Sequence, residues 1–174
     1  MNGISSEKKI CRSGFTPKER STNSVADLNL CRLFKSIGKD IAKDNPSVFF
    51  TNFVLCYRAG DSGISGGFKQ KWGNNCSPFF ERLVRIIEPK VIICLGRVVY
   101  YNVLKTAKIK CQKGTYNDII TGKPVIADFG GHGCKIFPVA HCGTLGTANR
   151  NNGNSNSDIK LQKQDWARIK VEIG

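Results

Sequence analysis

The sequence predicts an α/β fold with three layers, in which helices cover both faces of a short parallel sheet. Three runs, at 48–55, 91–95 and 135–141, are short, apolar and rich in β-branched or aromatic residues. That composition is typical of strands buried on both faces. Segments with helical spacing separate the runs, and such alternation favours parallel pairing through right-handed crossovers. The 174 residues, 40% of them hydrophobic, suffice for one domain with a buried core.

The chain begins with a segment for which no packed structure is predicted. Residues 1–24 are polar, so we expect them to be flexible and place the domain at residues 25–174. Apolar residues in 28–41 recur with helical spacing, which predicts a helix capped by Asp27.

A strand, a loop and a helix are predicted next. The run 48–55 predicts the first strand, and the Gly-rich residues 57–75 predict a long surface loop. Ser77 followed by Pro78 is a typical helix start. Pro89 ends that helix, because the residue before a proline avoids the helical conformation.

The middle of the chain continues the alternation. The second strand, at 91–95, is followed by Gly96, which turns the chain tightly into a helix at about 97–104. Residues 106–134 are less regular and predict a β-hairpin or a loop.

The C-terminal part predicts a strand, a loop and a helix. The third strand, at 135–141, leads into residues 143–157, whose Gly, Asn, Thr and Ser predict a loop. The spacing of apolar residues in 158–173 predicts a closing helix with Trp166 in the core.

The charge of the chain favours a polyanionic partner. There are 27 Lys and Arg residues against 13 Asp and Glu residues, so the formal net charge is +14. A basic surface attracts polyanions and releases their counterions, which favours nucleic acid over the alternative of a merely basic soluble protein. No apolar run approaches the ~18 residues of a membrane span, and no secretory signal is visible. We therefore expect a cytoplasmic, nucleoid-associated protein whose eight scattered cysteines are reduced.

Two polar residues are candidates for chemistry at the carboxyl edge of the sheet, where α/β proteins bind ligands. His141 ends the third strand and enters a Gly-rich loop; its ring can donate to a developing anion, and the loop's N–H groups can approach a phosphate. Asn52 offers the donor and acceptor needed to read a pyrimidine edge. The structural alternatives are a histidine bonded to the core edge and an asparagine bonded to backbone.

Four segments in order carry a family resemblance: Phe-Thr-Asn-Phe-Val-Leu-Cys at 50–56, Asn-Cys-Ser-Pro-Phe-Phe at 75–80, Pro-Lys-Val-Ile-Ile-Cys-Leu-Gly at 89–96 and Phe-Pro-Val-Ala-His at 137–141. Together they resemble the uracil-DNA glycosylase superfamily over residues 28–173. The resemblance implies a uracil-DNA glycosylase-like α/β fold. It also implies a base-excision DNA repair enzyme, a hydrolase that flips a uracil or another modified base out of DNA and cleaves its N-glycosidic bond.

The resemblance also implies roles for individual residues. Asn52 matches the asparagine that recognises the flipped base, and His141 matches the histidine that stabilises negative charge on the departing base. Gly143 and Thr144 fall in the loop that contacts phosphate, and Leu145 falls where relatives insert an apolar wedge into the DNA stack. The implied partner is DNA, bound by a monomer that does not associate with membranes.

The sequence departs from the family pattern in two places. His141 is followed by Cys-Gly where the family has Pro-Ser. The family's first motif, a Gly-rich strand end that supplies the water-activating residue, has no counterpart before residue 28, since residues 10–14 are short and polar. We therefore expect a partial domain that lacks its first strand, with no residue assigned to activate water.

No cofactor is expected, with one alternative. Some relatives hold a [4Fe–4S] cluster with cysteines placed near Cys56 and Cys76, and Cys11 and Cys31 would have to complete the set. The simpler interpretation is that these cysteines are small apolar residues of the core. The chain has no CxxC pair, so a zinc ribbon is not expected.

Three functional classes remain in view. The first is a DNA glycosylase and the second a non-catalytic, basic DNA-binding module on the same fold. The third, a Rossmann-like nucleotide-binding domain, lacks its G-x-G-x-x-G motif. Phe68 and Trp72 are interleaved with lysines and either stack on DNA bases or pack on the domain.

Overall fold

The computed structural model describes residues 25–41, 45–55, 68–153 and 158–173. The chain divides into two compact units. Among the described residues, the terminal unit consists of 25–41, 45–50, 140–153 and 158–172, and the sheet unit consists of 51–55, 68–139 and Ile173. Residues 1–24, predicted to be flexible, lie outside the described part, so that prediction and the expected single domain at 25–174 stay predictions.

The sheet unit contains a three-stranded mixed sheet in the order β1-β3-β2. Strand β1 (Val91–Leu95) pairs in parallel with β3 (Gly133–Val139), and β2 (Val125–Asp128) pairs with β3 in antiparallel orientation. The α/β class is confirmed, but the sheet is mixed where a parallel one was predicted. The antiparallel pair follows from the hairpin that joins β2 to β3.

That hairpin turns at Gly130 and Gly131, whose φ angles are 69° and 100°. The two-residue hairpin turn of type I′ requires positive φ angles at both central residues, which glycine adopts without steric cost. Phe129 N–H donates to the carbonyl oxygen of His132 at 2.9 Å across the turn. Residues 106–134 were predicted to form a β-hairpin or a loop, but they contain a helix, Tyr116–Thr121, and strand β2. The hairpin pairs β2 with β3, which corresponds to the third predicted strand.

Three helices belong to the sheet unit: α2 (Gln70–Ile87), α3 (Arg97–Thr106) and α4 (Tyr116–Thr121). The start predicted for α2 is wrong, since Ser77 and Pro78 lie inside the helix and the Ser77 hydroxyl donates back to the Gly73 carbonyl oxygen at 3.0 Å. Consequently 70–75, predicted as loop, is helical.

The helices cover apolar residues of the sheet. Helix α3 packs on β1 and β3, α4 packs on β3, and α2 packs on α3. Gly96, at φ 97°, makes the predicted tight turn between β1 and α3. The core consists of residues that are at most 7% exposed: Phe53, Phe80, Val84, Cys94, Tyr100, Val103, Leu104, Ile119, Ala127, Phe129, Cys134 and Ile136.

The strand predicted at 48–55 is not formed. Residues 45–55 contain neither a helix nor a strand. A buried strand needs a neighbour for its backbone N–H and C=O groups. This segment uses its apolar residues for packing instead: the Phe53 ring lies 5.0 Å from the Phe80 ring, centroid to centroid, while Phe49 is exposed.

The terminal unit contains α1 (Val25–Ser36), α5 (Thr144–Arg150) and α6 (Lys160–Ile173). Helix α1 begins two residues before Asp27, so this carboxylate lies in the first turn, where it favours the helix dipole, and is not the cap. The helix ends before Gly38, whose φ of 81° allows Lys39 N–H to donate to the Phe34 carbonyl oxygen at 3.0 Å.

The core of the terminal unit is built around Trp166, which is fully buried as predicted. Its ring meets the Phe34 ring edge to face at a centroid distance of 4.9 Å, and Phe34 in turn meets Phe50 at 5.3 Å. Leu33 and Ile169 complete this cluster with no exposed surface.

The loop predicted at 143–157 is wrong for residues Thr144–Arg150, which form α5. Residues 154–157 lie outside the described part. The Thr, Gly and Asn residues of α5 have weak helix propensity, and side chains of α6 hold it in place. The Arg150 guanidinium binds Asp165 through two hydrogen bonds of 2.7 and 2.8 Å. In the described part of the chain, no helix is both long and apolar enough to cross a membrane.

Candidate active site

His141 lies two residues beyond the end of β3, at the start of the turn that leads into α5. The residue as a whole is exposed, and Gly143 N–H donates to Nδ1 of its ring at 3.0 Å. A nitrogen that accepts a hydrogen bond carries no proton, so the neutral ring holds its proton on Nε2. The turn thus selects the tautomer in which Nε2 is the donor.

The surroundings of the ring also favour its neutral form. Partial burial of the ring lowers the pKa of His141 below the ordinary value of a histidine, although the residue as a whole is exposed. A proton on Nδ1 would face the donor N–H of Gly143, which opposes protonation in the same direction. His141 is therefore a neutral hydrogen-bond donor near neutral pH.

The residues after His141 shape one exposed surface of the terminal unit. Thr144 and Leu145 form the first turn of α5, both are exposed, and the Leu145 side chain is 79% accessible. Gly146, one residue on, packs so closely that a Cβ there would overlap the backbone carbonyl of His141. The structure therefore brings His141, Gly143, Thr144 and Leu145 together.

Asn52 belongs to the sheet unit and is placed differently from its prediction. It is exposed and lies on the irregular segment that precedes the buried Phe53, not within a strand at 48–55 as predicted. Its carbonyl oxygen accepts a hydrogen bond of 3.2 Å from the Thr51 hydroxyl. An exposed carboxamide keeps both its donor and its acceptor accessible.

The carboxyl edge of the sheet unit is formed by the ends of β1 and β3. Leu95 and Val139 are register partners, and Gly96 N–H donates to the Val139 carbonyl oxygen at 2.9 Å. The Tyr116 hydroxyl donates to the same carbonyl oxygen at 3.0 Å, and burial raises the pKa of this phenol. Sequence analysis missed Tyr116, because it lies in a segment without a periodic signal.

A comparison with protein families identifies the chain. The model of the uracil DNA glycosylase superfamily matches residues 10–167. The chain belongs to the uracil-DNA glycosylase superfamily. A search among curated proteins finds no match. The superfamily match begins earlier than the resemblance at 28–173, and because residues 1–24 lie outside the described part, the absence of a first strand stays a prediction.

Two of the four cysteines considered as ligands of an iron–sulfur cluster, Cys31 and Cys76, lie in the described part of the chain. Cys76 is 1% exposed in the core of the sheet unit, and Cys31 is half-buried on α1 of the terminal unit. Cys11 and Cys56 lie outside the described part of the chain. Among the residues that are described, no three His, Cys, Asp or Glu side chains gather as metal ligands.

The sheet unit also carries a basic groove that sequence analysis did not identify. It lies between the start of α2, the end of α3 and the turn that follows, and it has a volume of about 360 Å³. Every charged residue that lines it is a lysine. The lining residues are Gln70, Tyr101, Asn102, Lys105, Lys108, Ile109, Lys110 and Cys111.

Two hydrogen bonds order this groove. Gln70 Nε2 donates to Asn102 Oδ1 at 2.9 Å, and the Lys105 ammonium donates to Asn74 Oδ1 at 3.0 Å. A concave surface with one sign of charge focuses the electrostatic field and attracts polyanions. Trp72, predicted in a loop, is half-buried on α2 with the Lys69 ammonium 5.5 Å from its ring centroid.

Proposed function

We propose that this protein is a DNA glycosylase that flips a uracil or another modified base out of DNA and hydrolyses its N-glycosidic bond. One observation carries the proposal: Gly143 N–H bonds to Nδ1 of His141 and leaves Nε2–H as a neutral donor. Membership of the superfamily supports the reaction type.

The chemistry needs a donor of this kind. Cleavage of the C1′–N bond leaves its electron pair on the base, so the base departs as an anion and the sugar becomes cationic. A preorganised hydrogen-bond donor aimed at the developing anion is worth about 3–4 kcal/mol, or about 10²–10³ in rate. Water then adds to C1′ and releases a proton, which completes the hydrolysis.

The remaining site residues are assigned to recognition. The exposed carboxamide of Asn52 is proposed to read the base edge, since it offers both a donor and an acceptor. Leu145, with 79% of its surface exposed, is proposed to enter the base stack where the flipped nucleotide leaves it. Gly143 and Thr144 are proposed to meet the phosphate backbone at the same place.

A second function, a DNA-binding module without catalysis, is favoured by the basic groove and the net charge of +14. Both functions include DNA binding, so binding alone does not separate them. Product formation does, because only the glycosylase leaves an abasic site.

The test combines binding and product in one set of reactions. Protein in excess is incubated with single- and double-stranded oligonucleotides that carry uracil, hypoxanthine or a hydroxymethylated pyrimidine. Binding is measured by fluorescence anisotropy, and alkali reveals abasic sites as strand breaks. The proposal expects base release from at least one of these substrates. Binding of DNA by folded protein without release from any of them contradicts the proposal and supports the binding module.

A further inference from the structure

Two buried side-chain amides hold consecutive backbone carbonyls at the candidate active site. Gln162 Nε2 donates to the carbonyl oxygen of His141 at 3.2 Å, and Asn29 Nδ2 donates to that of Cys142 at 3.0 Å. Gln162 is 1% exposed and Asn29 is 2% exposed. The amides come from different helices, α6 and α1, so the turn is held by two separate elements of the terminal unit.

The orientation of the Gln162 amide is set by a third helix. The Thr147 hydroxyl of α5, 3% exposed, donates to Gln162 Oε1 at 3.0 Å. Since the oxygen is occupied by this donor, the nitrogen faces the His141 carbonyl. An amide flipped by half a turn would place two acceptors against each other.

Close packing reinforces these hydrogen bonds. A Cβ on Gly146 would overlap the His141 carbonyl, and a Cβ on Gly143 would lie 3.0 Å from Nδ1 of the His141 ring. Glycines at both positions let α5 press against the backbone that the amides hold. The backbone carbonyls of the turn are therefore held by the two amides and by Gly146, and the His141 ring is held by close contact with Gly143.

The burial of these amides calls for an explanation beyond packing. A buried polar group is costly unless its hydrogen bonds are made, and an apolar side chain of similar size would fill the same space. Both amides instead donate to carbonyls of the two residues that precede Gly143, whose N–H selects the tautomer of the ring. A small rotation of either peptide would move that N–H away from Nδ1.

We propose that Asn29 and Gln162 are positioning residues that hold the turn 141–143 so that His141 keeps its proton on Nε2. Thr147 acts with them by orienting Gln162. The consequence for base release rests on the proposed glycosylase function, whereas the consequence for the ring does not.

The direct test observes the ring nitrogens. The chain has two histidines, His132 and His141, so ¹⁵N labelling of histidine allows both rings to be assigned by NMR. Spectra are recorded at about pH 8, above the ordinary histidine pKa, so that the tautomer of the His141 ring is observed in its neutral form. The wild-type protein is expected to show His141 as the Nε2–H tautomer.

Three variants each remove one of these hydrogen bonds without adding charge: Gln162→Met, Asn29→Leu and the milder Thr147→Val. The proposal expects a mixture of tautomers at His141 in each variant. His132, whose Nε2 lies 2.9 Å from the Pro89 carbonyl oxygen in the sheet unit, is expected to keep its ¹⁵N pattern. Ile169→Val, in the buried face of α6, serves as the control for lost packing and is expected to leave His141 unchanged.

The outcomes separate the two proposals. If the wild-type protein releases base, the variants are expected to lose up to about 100-fold in the single-turnover rate while DNA affinity holds, because the donor is misplaced and not removed. If the wild-type protein releases no base, the proposed glycosylase function is contradicted. The ¹⁵N spectra of His141 still test whether Asn29 and Gln162 position its ring. A His141 ¹⁵N pattern identical to wild type in Thr147→Val and in whichever of the other two variants folds overturns it.

Discussion

At the scale of single residues, the protonation state of His141 sets the pH range in which its ring can act as a neutral hydrogen-bond donor. Burial lowers the pKa of His141, so the group is neutral in the folded protein down to a lower pH than in the unfolded chain. The neutral ring accepts from Gly143 and offers Nε2–H. The stabilising contribution of the neutral ring is thus present above the unfolded value of about 6.5 and is lost as pH falls through the folded pKa.

This direction predicts a pH profile. Single-turnover base release is expected to rise with pH through the folded pKa of His141, with its midpoint below about 6.5, and then to level off. The measurement is the rate across a pH series with DNA saturating. A rate that falls as the ring deprotonates would show that the charged imidazolium acts, contrary to the proposed role.

Gly146 gives a second prediction at this scale. Gly146→Ala forces a Cβ against the His141 carbonyl, and such overpacking typically costs about 1–3 kcal/mol. The midpoint of urea unfolding is expected to fall accordingly. Gly133→Ala is the matched control, since a Cβ there meets no atom within 4 Å. Equal unfolding midpoints for the two variants would rule out the close packing of Gly146 against the His141 carbonyl.

At the scale of elements, α5 depends on α6 for its stability. The Arg150 and Asp165 side chains are 11% and 4% exposed, and they are joined by two hydrogen bonds. Removal of one partner of a buried pair leaves the other uncompensated, which costs about 3–5 kcal/mol.

A double-mutant cycle tests this coupling. Asp165→Leu is expected to lower the free energy of unfolding by about 3–5 kcal/mol, and Arg150→Met combined with it is expected to recover most of the loss, because neither member of the pair is then left buried without the other. Urea denaturation of the four proteins gives the cycle. Single losses that simply add in the double variant would contradict a coupled pair.

The elements that sequence analysis predicted are those whose signals are local. Helix α3 follows from the turn at Gly96, and α6 follows from apolar spacing. Helix α4, at Tyr116–Thr121, was not predicted, because its segment shows no periodic signal. Helix α5 gives no such signal, because Thr147 is held by Gln162, fifteen residues away. The run at 48–55 has the composition of a strand, but composition alone does not show whether a neighbouring strand is present to pair with it.

The candidate site shows the same division. The residue types His141 and Asn52 could be found from the sequence, whereas the Gly143 contact that sets the tautomer could not, since it depends on the turn. A signal for the amides was present: Asn29 lies four residues before Leu33, and Gln162 four residues before Trp166, on the buried faces of their helices. A polar residue within an apolar stripe can indicate function.

At the scale of the whole molecule, the charge of +14 predicts how DNA affinity responds to salt. Replacing the three groove lysines, Lys105, Lys108 and Lys110, with glutamine is expected to reduce the slope of log K against log salt by about 1 for each lysine that contacts phosphate. Anisotropy titrations at several salt concentrations measure the slope.

The control for that experiment removes the same charge elsewhere. Lys160, Lys163 and Lys170 are exposed on α6 of the terminal unit, and their triple replacement with glutamine lowers the net charge equally. The groove variant is expected to lose more of the slope than this control. Equal losses would mean that net charge, and not the groove, governs the attraction.

The central claim is that His141 stabilises the departing base, and the most direct test compares the chain's two histidines. Single-turnover base release is measured, on a substrate from which the wild-type protein releases base, for wild-type, His141→Ala and His132→Ala. His141→Ala is expected to lower the rate by about 10²–10³ with DNA binding retained, and His132→Ala is expected to keep a rate near wild type. Undiminished release by a folded, DNA-bound His141→Ala protein would show that His141 does not stabilise the departing base.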